Sequence, residues 1–408
     1  MRVEKGAESR EANMKFVSTR PVTILSTRHG ERWFPFLFRH ADGSLLLYIQ
    51  TGHDRWFAPV QRFRSRDGGS TWTAEQNNLP RLSWCQSFGD GELFEMDWYG
   101  FRDPKTAGTY AFYGAWGFPS DAGRPTARDT VRVHSPSAVT ATLSQRATEG
   151  YPTYPWWPLY NTLHGRAELS GDEVLMGGPI ITGGVEFDGR LLALGYMVNL
   201  RDEAGEHWWT YCFESLDRGR TWEEISAVGG GRAATLPNLD EATLVVLKNG
   251  QLYCVLRSGT WLYHSWSSDS GRSWSQPAEL HLIDSEHRPR AVWPVCKVLD
   301  DGTLVLVYGR PGKHMVFDPS GTGRQWQGRL DLHAWELDTQ ELFGVPPESR
   351  LHGPTQLGVR YWDSGDYLGC VADGPREMLV CYDVQSYHEH WNAPMMDAAI
   401  RLVRVRLE

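Results

Sequence analysis

No apolar run in the 408 residues is long enough to span a bilayer, and no cluster of basic residues offsets the formal net charge of -9. A spanning helix needs about 20 consecutive apolar residues and a nucleic-acid site needs a positive face, so neither partner is expected. The N-terminus, Met1-Arg2-Val3-Glu4-Lys5-Gly6, is charged and lacks the apolar core of a signal peptide, which predicts a cytoplasmic location. C-x-x-C and H-E-x-x-H spacings are both missing. His388-Glu389-His390 is the nearest approach to a metal cluster, and it lacks a second ligand pair, so no metal and no cofactor are expected. The six cysteines, Cys85, Cys212, Cys254, Cys296, Cys370 and Cys381, sit mostly in apolar strand-like runs and read as reduced, buried thiols. No long amphipathic helical pattern occurs.

What is abundant is aromatic side chains and turn formers: Trp 19, Tyr 16, Phe 15, Gly 42 and Pro 23. That composition fits many short strands joined by tight turns. One short pattern, S-x-D-x-G-x-[ST]-W, occurs three times: Ser65-Arg66-Asp67-Gly68-Gly69-Ser70-Thr71-Trp72, Ser215-Leu216-Asp217-Arg218-Gly219-Arg220-Thr221-Trp222 and Ser267-Ser268-Asp269-Ser270-Gly271-Arg272-Ser273-Trp274. The Asp carboxylate suits backbone N–H groups of its own turn, the Gly supplies positive φ, and the Trp plugs the turn onto a sheet. These Asp residues therefore read as structural. A degraded copy begins at Asp318 and ends Gly323-Arg324-Gln325-Trp326.

A second repeat lies beneath the first. Apolar runs flank Asp42-Gly43, Asp188-Gly189, Asn249-Gly250, Asp301-Gly302 and Asp373-Gly374, with a weaker version around Gly108. Asp-Gly and Asn-Gly between such runs are strong hairpin signals. Six hairpins at this spacing predict an all-β, six-bladed β-propeller over residues 19–408, preceded by a loose tail over 1–18. The Ala399–Leu407 strand, or one near Val22-Thr23-Ile24-Leu25, is expected to close the last blade. Residues 75–178 are long for one blade, which leaves Tyr151-Pro152-Thr153-Tyr154-Pro155-Trp156-Trp157-Pro158 as a long loop or part of a seventh.

The triplicated pattern is the Asp-box, and the chain resembles the sialidases and their Asp-box propeller relatives. The resemblance implies a glycoside hydrolase whose site residues open the innermost strands. Tyr367, after Ser364-Gly365-Asp366, resembles the sialidase Tyr nucleophile; Glu241 resembles the Glu that activates it; Asp54 resembles the acid/base; and Arg257 resembles a carboxylate-binding Arg. The opening Arg-Ile-Pro motif appears as Trp33-Phe34-Pro35, with Arg32 displaced by one residue and hence to the other strand face. Near the fifth hairpin stand Arg310 and Lys313, neither a clean match to the remaining Arg. Arg290 and Trp293 precede the same hairpin and are expected at the mouth with the rest.

The expected function is an exo-acting glycosidase that removes a terminal, acidic sugar by a retaining Tyr/Glu plus Asp mechanism. A neutral sugar would leave Glu241 as nucleophile or base, as the resemblance to propeller exo-arabinanases allows. The alternatives are a polysaccharide lyase acting on a uronate glycan, with His53, His287 and His314 in candidate mouth loops, and a non-catalytic carbohydrate-binding propeller. The expected partner in each case is a carbohydrate; oligomeric state is left open.

Overall fold

The computed structural model describes residues 14–27, 33–50, 60–75, 82–97, 101–102, 106–118, 127–138, 143–144, 173–174, 179–202, 205–231, 236–259, 261–289, 292–309, 313–332, 359–360, 367–385, 387–388 and 398–408. Every regular element among them is a β-strand. Three four-stranded antiparallel sheets stand apart. They begin with Trp33–Arg39, Asp240–Val246 and Val295–Val298 respectively. A five-stranded sheet joins the chain ends: Ala398–Leu407 lies between Glu377–Gln385 and the two N-terminal strands Phe16–Ser18 and Val22–Thr27. Phe16–Ser18, within the stretch the sequence assigns to a tail, is in a ladder.

The fifth large sheet has nine strands. It contains two antiparallel units, one starting with Trp84–Ser87 and one with Ile180–Phe187. They are fused where Arg132–His134 pairs in parallel with Thr221–Glu223. Among the described residues there are thus five large sheets, with two further two-stranded ones, rather than six separate blades. The strands Ala127–His134 and Thr221–Gly230 are both outer strands of their units, and each would otherwise carry an open edge.

The first strands of these units face one another in a circle. Trp33–Arg39 lies against Leu368–Gly374, that against Val295–Val298, that against Asp240–Val246, that against Ile180–Phe187, and that against Trp84–Ser87. The remaining step is filled by a cluster holding Phe36, Tyr48, Cys85 and Leu93, with Tyr48 Oη donating to Glu95 Oε1 (2.7 Å). The arrangement is propeller-like. A hairpin turn of common form closes the far end of the inner strands: the Gly43, Gly91, Gly250 and Gly302 N–H groups donate to the carbonyls of His40, Phe88, Leu247 and Leu299. Gly108 lies between Phe101–Arg102 and Thr109–Gly117, which pair antiparallel, but the hairpin on the inner strand of this unit is at Asp90-Gly91, between Trp84–Ser87 and Leu93–Met96. Its strands are only four residues each, too short for a clear apolar run.

The three repeated turns are nearly superimposable in their bonds. Ser65, Ser215 and Ser267 Oγ donate to Oδ1 of Asp67, Asp217 and Asp269 (2.7, 2.9 and 2.8 Å). The same Oδ1 atoms accept from Thr71, Thr221 and Ser273 N–H. Each box Gly presses on the preceding antiparallel unit of the ring. A Cβ at Gly219 would lie 2.4 Å from Phe94, and one at Gly323 would lie 2.4 Å from Tyr253. In the degraded copy Asp318 itself accepts the Gly323, Arg324 and Gln325 N–H groups, and Trp326 is fully buried. The turns therefore clamp one sheet to the next from outside. All six cysteines are buried and unpaired.

Candidate active site at the mouth of the ring

At the end of the ring opposite the hairpin turns, non-glycine residues at positive φ stand at the entry to three inner strands: Phe34 (48°) and Glu241 (33°), each second in its strand, and Trp293 (49°), just before Val295–Val298. Such backbone costs about 1–3 kcal/mol per residue and persists only where its surroundings enforce it, as they commonly do at functional sites. At two of them the ladder slips. Asp240 pairs with Arg257 but the next pair is Thr243 with Val255, and Trp33 pairs with Gln50 but Pro35 with Ile49. Consecutive strand residues ordinarily point to opposite faces. The bulge and the turned φ at Glu241 bring the Asp240 and Glu241 carboxylates to the same guanidinium.

That guanidinium is Arg257, the last residue of Leu252–Arg257. Its Nη1 is 2.6 Å from Glu241 Oε2, and its Nε is 3.7 Å from Asp240 Oδ1. Glu241 is 6% exposed, and its Oε2 also accepts the Trp293 N–H (2.9 Å). Asp240 Oδ1 is buried and has no hydrogen-bond partner. Burial pushes the Asp240 carboxyl up to about 7, the neighbouring Glu241 charge adds to this, and Arg257 opposes it. Burial works against the Arg257 charge, but Glu241, Asp240 and Tyr367 together outweigh it and hold the guanidinium firmly protonated. Tyr367, which leads into Leu368–Gly374, is therefore within electrostatic reach of the same group. Its ring packs on Phe34 (centroids 3.5 Å), and Trp293 meets Phe36 edge-on (5.5 Å).

Four of the residues expected from sequence are thus gathered at one place: Glu241, Arg257, Tyr367 and Trp293. Trp33 is placed in the first strand, paired with Gln50. Asp54, Arg32, Arg290 and Arg310 lie outside the described residues, as do His53, Glu389 and His390. Lys313 is fully buried with its ammonium 5.6 Å over the Tyr382 ring. Asp240 is the residue that sequence reasoning passed over. Its signal was the adjacent acidic pair Asp240-Glu241 directly before an apolar hairpin strand.

A second polar cluster lies on the neighbouring sheet. His314 Nδ1 is 2.6 Å from Asp331 Oδ1, and its ring is 5.4 Å from His287 and 5.3 Å from Tyr308. His287 Nε2 and Tyr308 Oη are buried without a hydrogen-bond partner. Burial lowers His287 to about 4, with Arg329 and His314 adding to the effect, and burial raises Tyr308. Among the described residues no group of three His, Cys, Asp or Glu side chains is set to hold a metal. No helix there is long and apolar enough to cross a membrane.

The model of the BNR repeat-like domain matches residues 161–349. That match spans a little under half of the chain. No curated protein matches it in sequence. Among solved structures, the chain is similar to a protein of unknown function from Dyadobacter fermentans (TM-score 0.57, 15% identity, 96% of this chain and 100% of that one). It is also similar to an alpha-L-arabinanase of Penicillium chrysogenum complexed with arabinobiose (0.53, 15%, 95% and 98%). The NanB sialidase of Streptococcus pneumoniae resembles it too (0.52, 12%, 95% and 71%). At these identities the likeness is one of fold.

Proposed function

We propose that this chain is an exo-acting glycosidase built on six blades, the nine-stranded sheet being two blades joined at their outer edges. The observation that carries the reading is the Glu241–Arg257 pair at the mouth, with Glu241 at positive φ and Tyr367 within reach of the same guanidinium. A phenol near an ionised carboxylate and an arginine is suited to nucleophilic attack, because the carboxylate accepts its proton and the arginine steadies the charge that forms. In the proposed reaction Tyr367 oxygen bonds to the anomeric carbon, its proton passes to Glu241, and a carboxylic acid protonates the leaving oxygen. Sequence resemblance assigns that last role to Asp54. Water then releases the sugar with retention of configuration. A Tyr nucleophile suits a sugar that bears a carboxylate, which would repel a carboxylate nucleophile. Arg257, with Arg32, Trp33, Arg290, Trp293 and Arg310 around it, is proposed to bind that sugar.

The test is a panel of 4-methylumbelliferyl glycosides covering N-acetylneuraminide, glucuronide and α-L-arabinofuranoside, with the anomeric form of the first product followed by NMR. Turnover of the acidic sugars with retention is the expected result. Turnover of the arabinofuranoside alone would move the nucleophile to Glu241. Binding without turnover of any member would leave a carbohydrate-binding propeller. The lyase reading is favoured by one observation, the His314–Asp331 pair beside the unpartnered His287 and Tyr308 atoms. An unsaturated product absorbing in the ultraviolet would select it.

A further inference from the structure

One arginine serves two carboxylates at the mouth. Arg257 meets Glu241 at 2.6 Å, while the nearer Asp240 oxygen stands at 3.7 Å, buried and with no hydrogen-bond partner. If both acids were ionised, the trio would carry one uncompensated negative charge in a desolvated place, which is costly. The arrangement therefore favours one extra proton. Glu241 is the acid whose oxygen already accepts two donors, Arg257 and the Trp293 N–H, so it is the better anion of the two. The proton belongs on Asp240.

We propose that Asp240, sharing Arg257 with Glu241, is the acid/base of this site: it keeps its proton while Glu241 is ionised and delivers that proton to the leaving glycosidic oxygen. The proposal rests on the glycosidase reading and replaces Asp54 in the acid's role. As the anomeric C–O bond breaks, its electron pair stays on the leaving oxygen, which takes the Asp240 proton. Tyr367 oxygen forms the new bond to carbon with its own pair, having passed its proton to Glu241. In the second half a water oxygen bonds to the anomeric carbon, its proton returns to Asp240, and Tyr367 leaves with its electron pair and recovers the proton from Glu241. The groups acting on Asp240 are Glu241 on its own strand and Arg257 on the next. Of the strands packed on Asp240–Val246, Ile180–Phe187 brings apolar Ile181 and the hydroxyl of Thr182, Arg190–Asp202 carries Tyr196 and ends in Arg201 and Asp202, Val295–Val298 follows Trp293, and Gly205–Ser215 carries His207 near its start.

The experiment uses the full chain and Asp240→Asn beside Asp54→Asn. Two substrates of whichever sugar the panel shows cleaved are compared, a 2,4-dinitrophenyl glycoside and a disaccharide. An acid is needed for the sugar leaving group and hardly for the dinitrophenolate. Asp240→Asn should lose about 100-fold or more in kcat/KM on the disaccharide and less than about 10-fold on the dinitrophenyl glycoside. It should lose the basic limb of the pH profile and regain turnover with azide. In a protein labelled with carboxyl-13C aspartate, one resonance titrating near neutrality should vanish in Asp240→Asn. An unchanged pH profile in Asp240→Asn, or the leaving-group signature appearing in Asp54→Asn instead, overturns the proposal. If the wild type cleaves no probe, the glycosidase reading falls and the acid's role with it. The titration then decides on its own whether Asp240 holds a proton: no aspartate titrating above pH 6 rejects that too.

Discussion

A phenol with an ordinary pKa near 10 is almost wholly protonated at neutral pH, so Tyr367 attacks only if a neighbour takes its proton. Tyr367→Phe keeps the ring on Phe34 and removes the hydroxyl. We expect turnover to fall by orders of magnitude with little change in melting temperature. Glu241→Gln should do likewise, and the double variant should lose little more than either single, because residues acting as one unit are not additive. Steady-state kinetics on the cleaved glycoside check this, and near-normal activity in Tyr367→Phe would reject the Tyr mechanism. Asp240 makes a separate prediction about stability. Its folded carboxyl is raised to about 7 from the ordinary 3.8, so between those values the folded chain holds a proton that the unfolded chain has released. Stability attributable to this group is full below pH 4 and is lost as pH climbs to 7. Asn imitates the protonated form at every pH. Asp240→Asn should therefore match the wild type near pH 4 and be more stable above pH 7, by on the order of 1–3 kcal/mol after screening at this partly exposed site. Thermal melts across that range would show it, and parallel curves would contradict it.

At the scale of turns and strands, the box motif makes a sharp claim. Ser215 Oγ accepts the buried Gly219 N–H (2.8 Å) while donating to Asp217, so Ser215→Ala leaves a buried donor without an acceptor. The expected loss is about 1–3 kcal/mol. Gly219→Ala should cost more, about 2–4 kcal/mol, since φ is +88° and the new methyl meets Phe94. Denaturant melts of both variants, with unchanged KM in whatever fraction is folded, are the measurement. Legibility follows the same line. The boxes and the Asp-Gly hairpins were readable because each encodes its own turn within a few residues. The Asp90-Gly91 hairpin was not, because its two four-residue strands leave no apolar run to notice. The pairing of Arg132–His134 with Thr221–Glu223 joins segments some ninety residues apart and follows from no local signal. At the site, Glu241 and Tyr367 are legible from their position ahead of hairpin strands, and Arg257 from its resemblance to the arginine that ends the second strand of the same hairpin. Asp240 is not, because ordinary strand alternation sends it away from Glu241, and only the bulge and a φ of 33° bring the two together.

For the whole molecule the decisive element is the strand Ala398–Leu407. It pairs along its length with Glu377–Gln385 on one side and with Phe16–Ser18 and Val22–Thr27 on the other. The first and last parts of the described chain are thus locked into one sheet, and the inner strand of that sheet contacts both Trp33–Arg39 and Val295–Val298. A circle of sheets closed in this way has no free end from which to unravel, so its parts should unfold together rather than in turn. Val403 tests this. It is 1% exposed, in a cluster that also holds Val305, Met315, Phe317 and Leu368 from other strands of the ring. Val403→Ala should cost about 2 kcal/mol through lost apolar contact and the cavity left behind. If the circle is one cooperative unit, calorimetry will show the single transition shifted down as a whole, and boxes as distant as Ser215–Trp222 will lose hydrogen-exchange protection at the same denaturant concentration. A second transition left at the wild-type temperature would mean that the sheets are stable in separate groups. The mouth residues, which come from several different sheets, would then owe their geometry to local packing rather than to closure of the ring.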